Sequence, residues 1–161
     1  MIKSVAVTGP RRVNDVSPDR LASLFDGYLR PFAGPDAHVH LGGAAGIDTL
    51  ALDWLARHTA ARLTVVVPCI LHDQPALAVE TVSAWRTRGR ITEIVELAAP
   101  RLGSAAYHAR NRWMVDRSSL IIGFPLDDDP ASGTRYTLDY AAEQGKPRLV
   151  VPLGSPCGRD S

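Results

Sequence analysis

"HVHLGGAAGIDTLALDWLARH", residues 38–58, passes from a short apolar run into a helix-like pattern through a turn almost without side chains. The run "AHVHLGG" reads as a buried strand. From Ile47 onward Leu50, Ala51, Trp54, Leu55 and His58 recur on one helical face. The turn itself is Gly42-Gly43-Ala44-Ala45-Gly46-Ile47-Asp48. Glycines permit positive φ and let a ligand approach the main chain. A helix that starts beyond them offers unpaired N–H groups and a positive dipole end to an anion. The expectation is therefore a phosphate or ribose resting on this turn. Asp48, in the first helical turn, either complements the dipole, accepts from a ribose hydroxyl or holds a neighbouring arginine. A close helix–sheet crossing would also demand small residues here. The G-G-x-x-G spacing differs from the G-x-G-x-x-G dinucleotide fingerprint.

The same alternation extends in both directions. "SVAVTG" (4–9) reads as a first strand, ended by glycine and proline. Ser17 is a helix cap with Pro18 at the first helical position, and Leu21, Leu24, Phe25 and Leu29 follow at helical spacing. Beyond the central turn, "RLTVVVPC" is a buried-type strand, residues 73–88 a helix and "ITEIVELA" a half-exposed strand. "SAAYHARNRWMVDRSS" is helical, "SLIIGFP" a buried strand and "DDDPASG" a loop. "TRYTLDYAAEQG" is a helix stopped by Gly145, and "KPRLVVPL" is the last strand. Such regular alternation predicts a doubly wound, Rossmann-like α/β fold: a mostly parallel sheet of roughly six or seven strands with helices on both faces. Residues 1–153 read as a single domain and 154–161 as a short flexible tail.

The 161 residues carry 18 Lys+Arg and 17 Asp+Glu, a formal net charge of +1. That balance disfavours broad electrostatic attachment to nucleic acid or an anionic membrane, while leaving room for a local basic pocket. Cys69 and Cys157 form neither a disulfide framework nor a zinc site. With no signal pattern and no apolar run near the ~20 residues of a membrane span, a cytoplasmic protein is expected.

In open α/β sheets ligands lie beyond the carboxyl ends of the strands. After the first strand come Thr8 and Gly9, then Arg11 and Arg12, whose guanidinium forks match phosphate oxygens or stand solvated. Arg110, Asn111 and Arg112 are consecutive, so they point about 100° apart on a helix and at most two face one pocket. Trp113 and Met114 read as core. His108 reads as a surface or capping residue. Ser132-Gly133-Thr134 opens the last helix with capping hydroxyls and one bare position. Asp127, Asp128 and Asp129 read as a solvated loop rather than a metal site, and no cofactor is called for.

The order of these segments carries more than any one of them. "VTGPRR", "GGAAGIDTLAL", "RNRWMVDRSSLIIGF" and "SGTRYTLDYAAEQGKP" together resemble the SLOG superfamily of Rossmann-like nucleotide-binding domains, in particular its YpsA/YspA-related branch. The matching positions are Gly9, Gly42 to Asp48, Arg110-Asn111 with Met114, the strand to Gly123-Phe124, and Gly133-Thr134. The same order is similar to DprA, a single-strand DNA-processing family, and to the LOG phosphoribohydrolases, which cleave the N-glycosidic bond of nucleoside monophosphates. The resemblance implies a nucleotide-derived ligand, such as ADP-ribose or an NAD relative, and a sensor or binding module. It also implies a homodimer, with the faces bearing Trp85 or Trp113 as interfaces. A LOG-like activity needs the glutamate of "G-G-x-G-T-x-x-E", whose position here is Thr137. Asp139 lies about 200° further round the helix and should face away. A single-strand binder needs a basic groove with interleaved aromatics, which the near-neutral charge and the core-like Trp54, Trp85 and Trp113 disfavour.

Overall fold

A computed structural model describes residues 3–126 and 132–154. Asp127, Asp128, Asp129, Cys157 and most of the expected tail lie outside the described residues. Six parallel strands form one sheet: β1 (Ser4–Thr8), β2 (His38–Gly42), β3 (Arg62–Val67), β4 (Glu93–Glu96), β5 (Leu120–Gly123) and β6 (Arg148–Val150). Their order is β4-β3-β2-β1-β5-β6, and every neighbouring pair is parallel. The chain thus builds outward from β1 to one edge, then restarts on the other side at β5.

Each central strand alternates between two cores. Val5 and Val7, Val39 and Leu41, and Leu63, Val65 and Val67 face helices α1 (Pro18–Tyr28), α2 (Ile47–His58) and α3 (Ala76–Thr87). Ala6, Val66 and Ile121 face a smaller core with Met114, Leu138 and Ala141, from α4 (Ser104–Asp116) and α5 (Gly133–Glu143). Burial on both faces explains why the strands read as apolar runs rather than strict alternations. Ser17 caps α1 by accepting from Arg20 N at 3.1 Å, with Pro18 in the first turn. The helix expected over 73–88 starts later. Residues Leu71–Asp73 form a 3₁₀ turn, and Pro75 holds Gln74 extended before α3 begins.

Trp85 is not an open interface. It is 8% exposed, its Nε1 donates to Asp53 Oδ1 at 3.0 Å, and Arg57 and Arg88 lie over its ring. Trp113 is half-buried beneath Arg117, 3.9 Å from its centroid. Among the described residues no helix is long and apolar enough to cross a membrane.

Towards α4, β2 presents His38 and His40, flanked by Ser4 and Ala6 on β1 and by Arg62 and Thr64 on β3. Their rings stack at 4.5 Å, and His40 meets Trp113 edge-on at 6.1 Å. His40 is 6% exposed and its Nδ1 has no partner. Burial pushes its imidazole down from 6.5 to about 4, with His38 and Arg117 adding to the effect and the Val5 backbone opposing it. The unfolded chain therefore takes this proton first. The contribution is intact above pH ~6.5 and is lost as pH falls towards ~4. Between about pH 7.5 and pH 5 the loss from His40 should be about 2 kcal/mol. Urea titrations at both pH values check this: His40→Leu should remove most of the difference that wild type shows.

Candidate functional site

β1 and β5 are adjacent in the sheet yet belong to opposite arms of the winding, so their carboxyl ends splay around a crevice. A cavity of about 620 Å³ opens there. Its walls come from the loop after β1 (Thr8, Gly9, Pro10, Arg11, Arg12), the turn after β2 (Ala44, Asp48) and the start of α4. The segment after β5 (Leu126) and the start of α5 (Ser132, Gly133, Thr134) complete it. That volume is in the usual range for a small-molecule site, about 300–1,000 Å³.

The charged floor is built from α2 and α4. Arg110 is 4% exposed and Asp48 7%. Arg110 Nε donates to Asn111 Oδ1 at 2.7 Å and Nη1 to the Val66 carbonyl at 3.2 Å. Ala44 N donates to Asp48 Oδ2 at 3.2 Å. Burial raises the Asp48 carboxyl pKa, while Arg110, the Ala44 amide and Arg11 pull it down. Burial likewise lowers the Arg110 pKa, and Asp48 opposes that shift. At the mouth, Arg11 lies 4.0 Å above the Tyr107 ring, and Arg110 stands 5.6 Å from the same ring. Three arginines against one carboxylate leave the described lining positive.

The central turn is used differently from the expectation. Gly42, Gly43 and Gly46 do not line the cavity. A Cβ on Gly42 would collide with Arg110 Nη1 and Asp48 Oδ2, and one on Gly43 would stand 2.6 Å from Val67 Cγ1. Gly46 has φ +74°, and its Cβ would strike the Pro10 carbonyl oxygen and lie 2.6 Å from Arg11 C. The first N–H of α2 is already satisfied, since Ile47 N donates to Pro10 O at 3.1 Å. The chain's own carbonyl thus takes one of the donors expected for a phosphate. The small residues admit a buried ion couple and the β1 loop.

Bare backbone instead meets open space at two other helix starts. Among the described residues, and beyond the local backbone, no atom lies within 4 Å of where a Cβ on Gly103 or Gly133 would stand. Gly103 precedes α4 with no side-chain cap. At α5, Ser132 Oγ accepts from Arg135 N at 3.0 Å and fixes the first turn.

Sequence reasoning overlooked Gly103, Ser104 and Tyr107 and read His108 as a surface or capping residue, yet all four are in the lining. His108 does have a partner: its ring lies 3.7 Å from that of Tyr136, 8° from parallel. Helical spacing contained the signal, because positions 103, 107, 110 and 111 share one face and 104 and 108 the next. Arg112 points away and donates to Tyr136 Oη at 2.7 Å. So two of the three consecutive polar residues face the pocket. Thr137 Oγ1 donates to the Gly133 carbonyl at 2.9 Å, and Asp139 is exposed, outside the lining. Among the described residues Asp48 is the one carboxylate at the cavity.

A six-stranded parallel sheet wound in this order, with its cavity at the switch point, is a Rossmann-like α/β fold. Two solved structures of DNA processing protein A share it. The protein from Streptococcus pneumoniae is 20% identical with a TM-score of 0.73, over 96% of this chain and 51% of that one. The one from Helicobacter pylori, described for its single-stranded DNA binding mode, is 23% identical with a TM-score of 0.65, over 92% and 64%. The chain thus spans between half and two thirds of their length. A molybdenum cofactor binding protein from Rippkaea orientalis is 15% identical with a TM-score of 0.61, over 93% and 76%. No family model and no curated protein matches the sequence.

Proposed function

We propose that this chain binds a nucleotide or nucleotide-derived anion, of the AMP or ADP-ribose kind, in the cavity between β1 and β5. The observation that carries the reading is the convergence of Arg11, Arg12 and Arg110 with the open starts of α4 and α5 on one crevice. Phosphate would lie against Gly133-Thr134 and the guanidinium groups, where helix N–H donors and cations reinforce one another. Asp48 serves as the buried counter-charge to Arg110 rather than as a ribose ligand. Thr137 stands where the LOG enzymes carry their glutamate, which favours binding over cleavage at an anomeric carbon.

A thermal-shift screen with AMP, ADP-ribose and ribose 5-phosphate tests the reading. At a ligand concentration 100 times the dissociation constant the expected stabilisation is about 2.7 kcal/mol. No shift at millimolar ligand overturns it. A second reading, single-stranded DNA, is favoured by the likeness to the Helicobacter pylori protein. It predicts oligonucleotide binding that weakens steeply with salt and competes with AMP for the same arginines.

A further inference from the structure

We propose that His108 is the stacking platform for the ligand's aromatic base, so that the site selects nucleotides over bare sugar phosphates. This rests on the nucleotide reading above and adds its specificity element. Two flat rings line the described cavity, Tyr107 and His108. Tyr107 is already covered, with the Arg11 guanidinium 4.0 Å above it. His108 has one face against Tyr136, and Tyr136 is not in the lining. The half-buried imidazole lines the cavity while Tyr136 backs one of its faces, which leaves the opposite face as the one a base would meet.

The platform is braced. Tyr136 Oη accepts from Arg112 at 2.7 Å, which ties the α5 ring to α4. A ring held parallel at 8° loses little freedom when a third ring joins the stack. The layout along α4 separates two tasks. Gly103, Tyr107, Arg110 and Asn111 form the stripe over the charged floor. Ser104 and His108 form the next stripe, about 100° round. Charge recognition and ring recognition thus come from neighbouring positions on one helix.

Isothermal titration with AMP and with ribose 5-phosphate tests the assignment on wild type, His108→Ala and His108→Phe, each checked for folding by its thermal melt. Base stacking should make wild type prefer AMP by tenfold or more. His108→Ala should lose about tenfold on AMP and leave ribose 5-phosphate unchanged, while His108→Phe restores AMP. The H2 and H8 resonances of bound AMP should move upfield with wild type and His108→Phe, and not with His108→Ala. Equal wild-type affinity for the two ligands, or equal losses on both in His108→Ala, overturns the platform but leaves the phosphate site standing. If wild type binds neither ligand, the site reading falls and the platform with it.

Discussion

Replacing Asp48 by alanine is expected to cost about 3–5 kcal/mol, which threatens folding at growth temperature. The cause is the partner left behind. Arg110 is 4% exposed and holds its charge against burial with Asp48 as its nearest counter-charge. Arg11, on the same side, acts against Arg110. Deleting the carboxylate strands a buried cation beside another cation and frees the Ala44 amide that donates to Oδ2. Asp48→Asn keeps an acceptor for that amide and the shape under Gly42, so it should lose less. The decisive comparison is Asp48→Leu with Arg110→Met, which removes both charges and should recover most of the stability, since a buried pair is often replaceable by apolar groups. Denaturant unfolding of the four variants, Asp48→Ala, Asp48→Asn, Asp48→Leu and the double variant, gives the energies. If the double variant is no more stable than Asp48→Leu alone, the coupling is absent.

Element order and the location of the crevice were legible in the sequence, and the use of the central glycines was not. "SVAVT", "RLTVVV" and "LIIG" had to be strands buried on both faces, because continuous β-branched runs of that length suit little else. Ser17-Pro18 and Ser132 announced helix starts that the structure places there. The turn at 42–46 carries the same glycines whether a ligand or the protein's own atoms come close, and only coordinates separate those cases. Here the atoms are those of Asp48, close by in the chain, and of Arg110 and the Pro10 carbonyl, both far from the turn in sequence. The stacking of His108 on Tyr136 joins two helices and leaves no local trace. The reading of His108 as a surface or capping residue came from its neighbours in sequence alone.

Gly46→Ala should be the most damaging single-methyl change in the protein, at about 2–6 kcal/mol. Two costs combine. At φ +74° and ψ −127° the backbone lies where side-chain-bearing residues are strained by about 1–3 kcal/mol. The added methyl also meets main chain rather than a side chain, at the Pro10 carbonyl and Arg11 C, so no rotamer change can relieve it. Overpacking of that kind costs about 1–3 kcal/mol more. Relief requires the β1 loop to retreat, which breaks the Ile47 N to Pro10 O bond and carries Arg11 away from Tyr107. The variant should therefore lose both melting temperature and ligand affinity. Gly27→Ala is the control: its Cβ meets nothing within 4 Å inside α1, so helix propensity alone should make it neutral or stabilising by up to about 1 kcal/mol. Melting curves of the two variants side by side decide the matter. A Gly46→Ala protein as stable as wild type would mean that the loop after β1 is not pinned to α2, and that Arg11 is not held over the cavity as described.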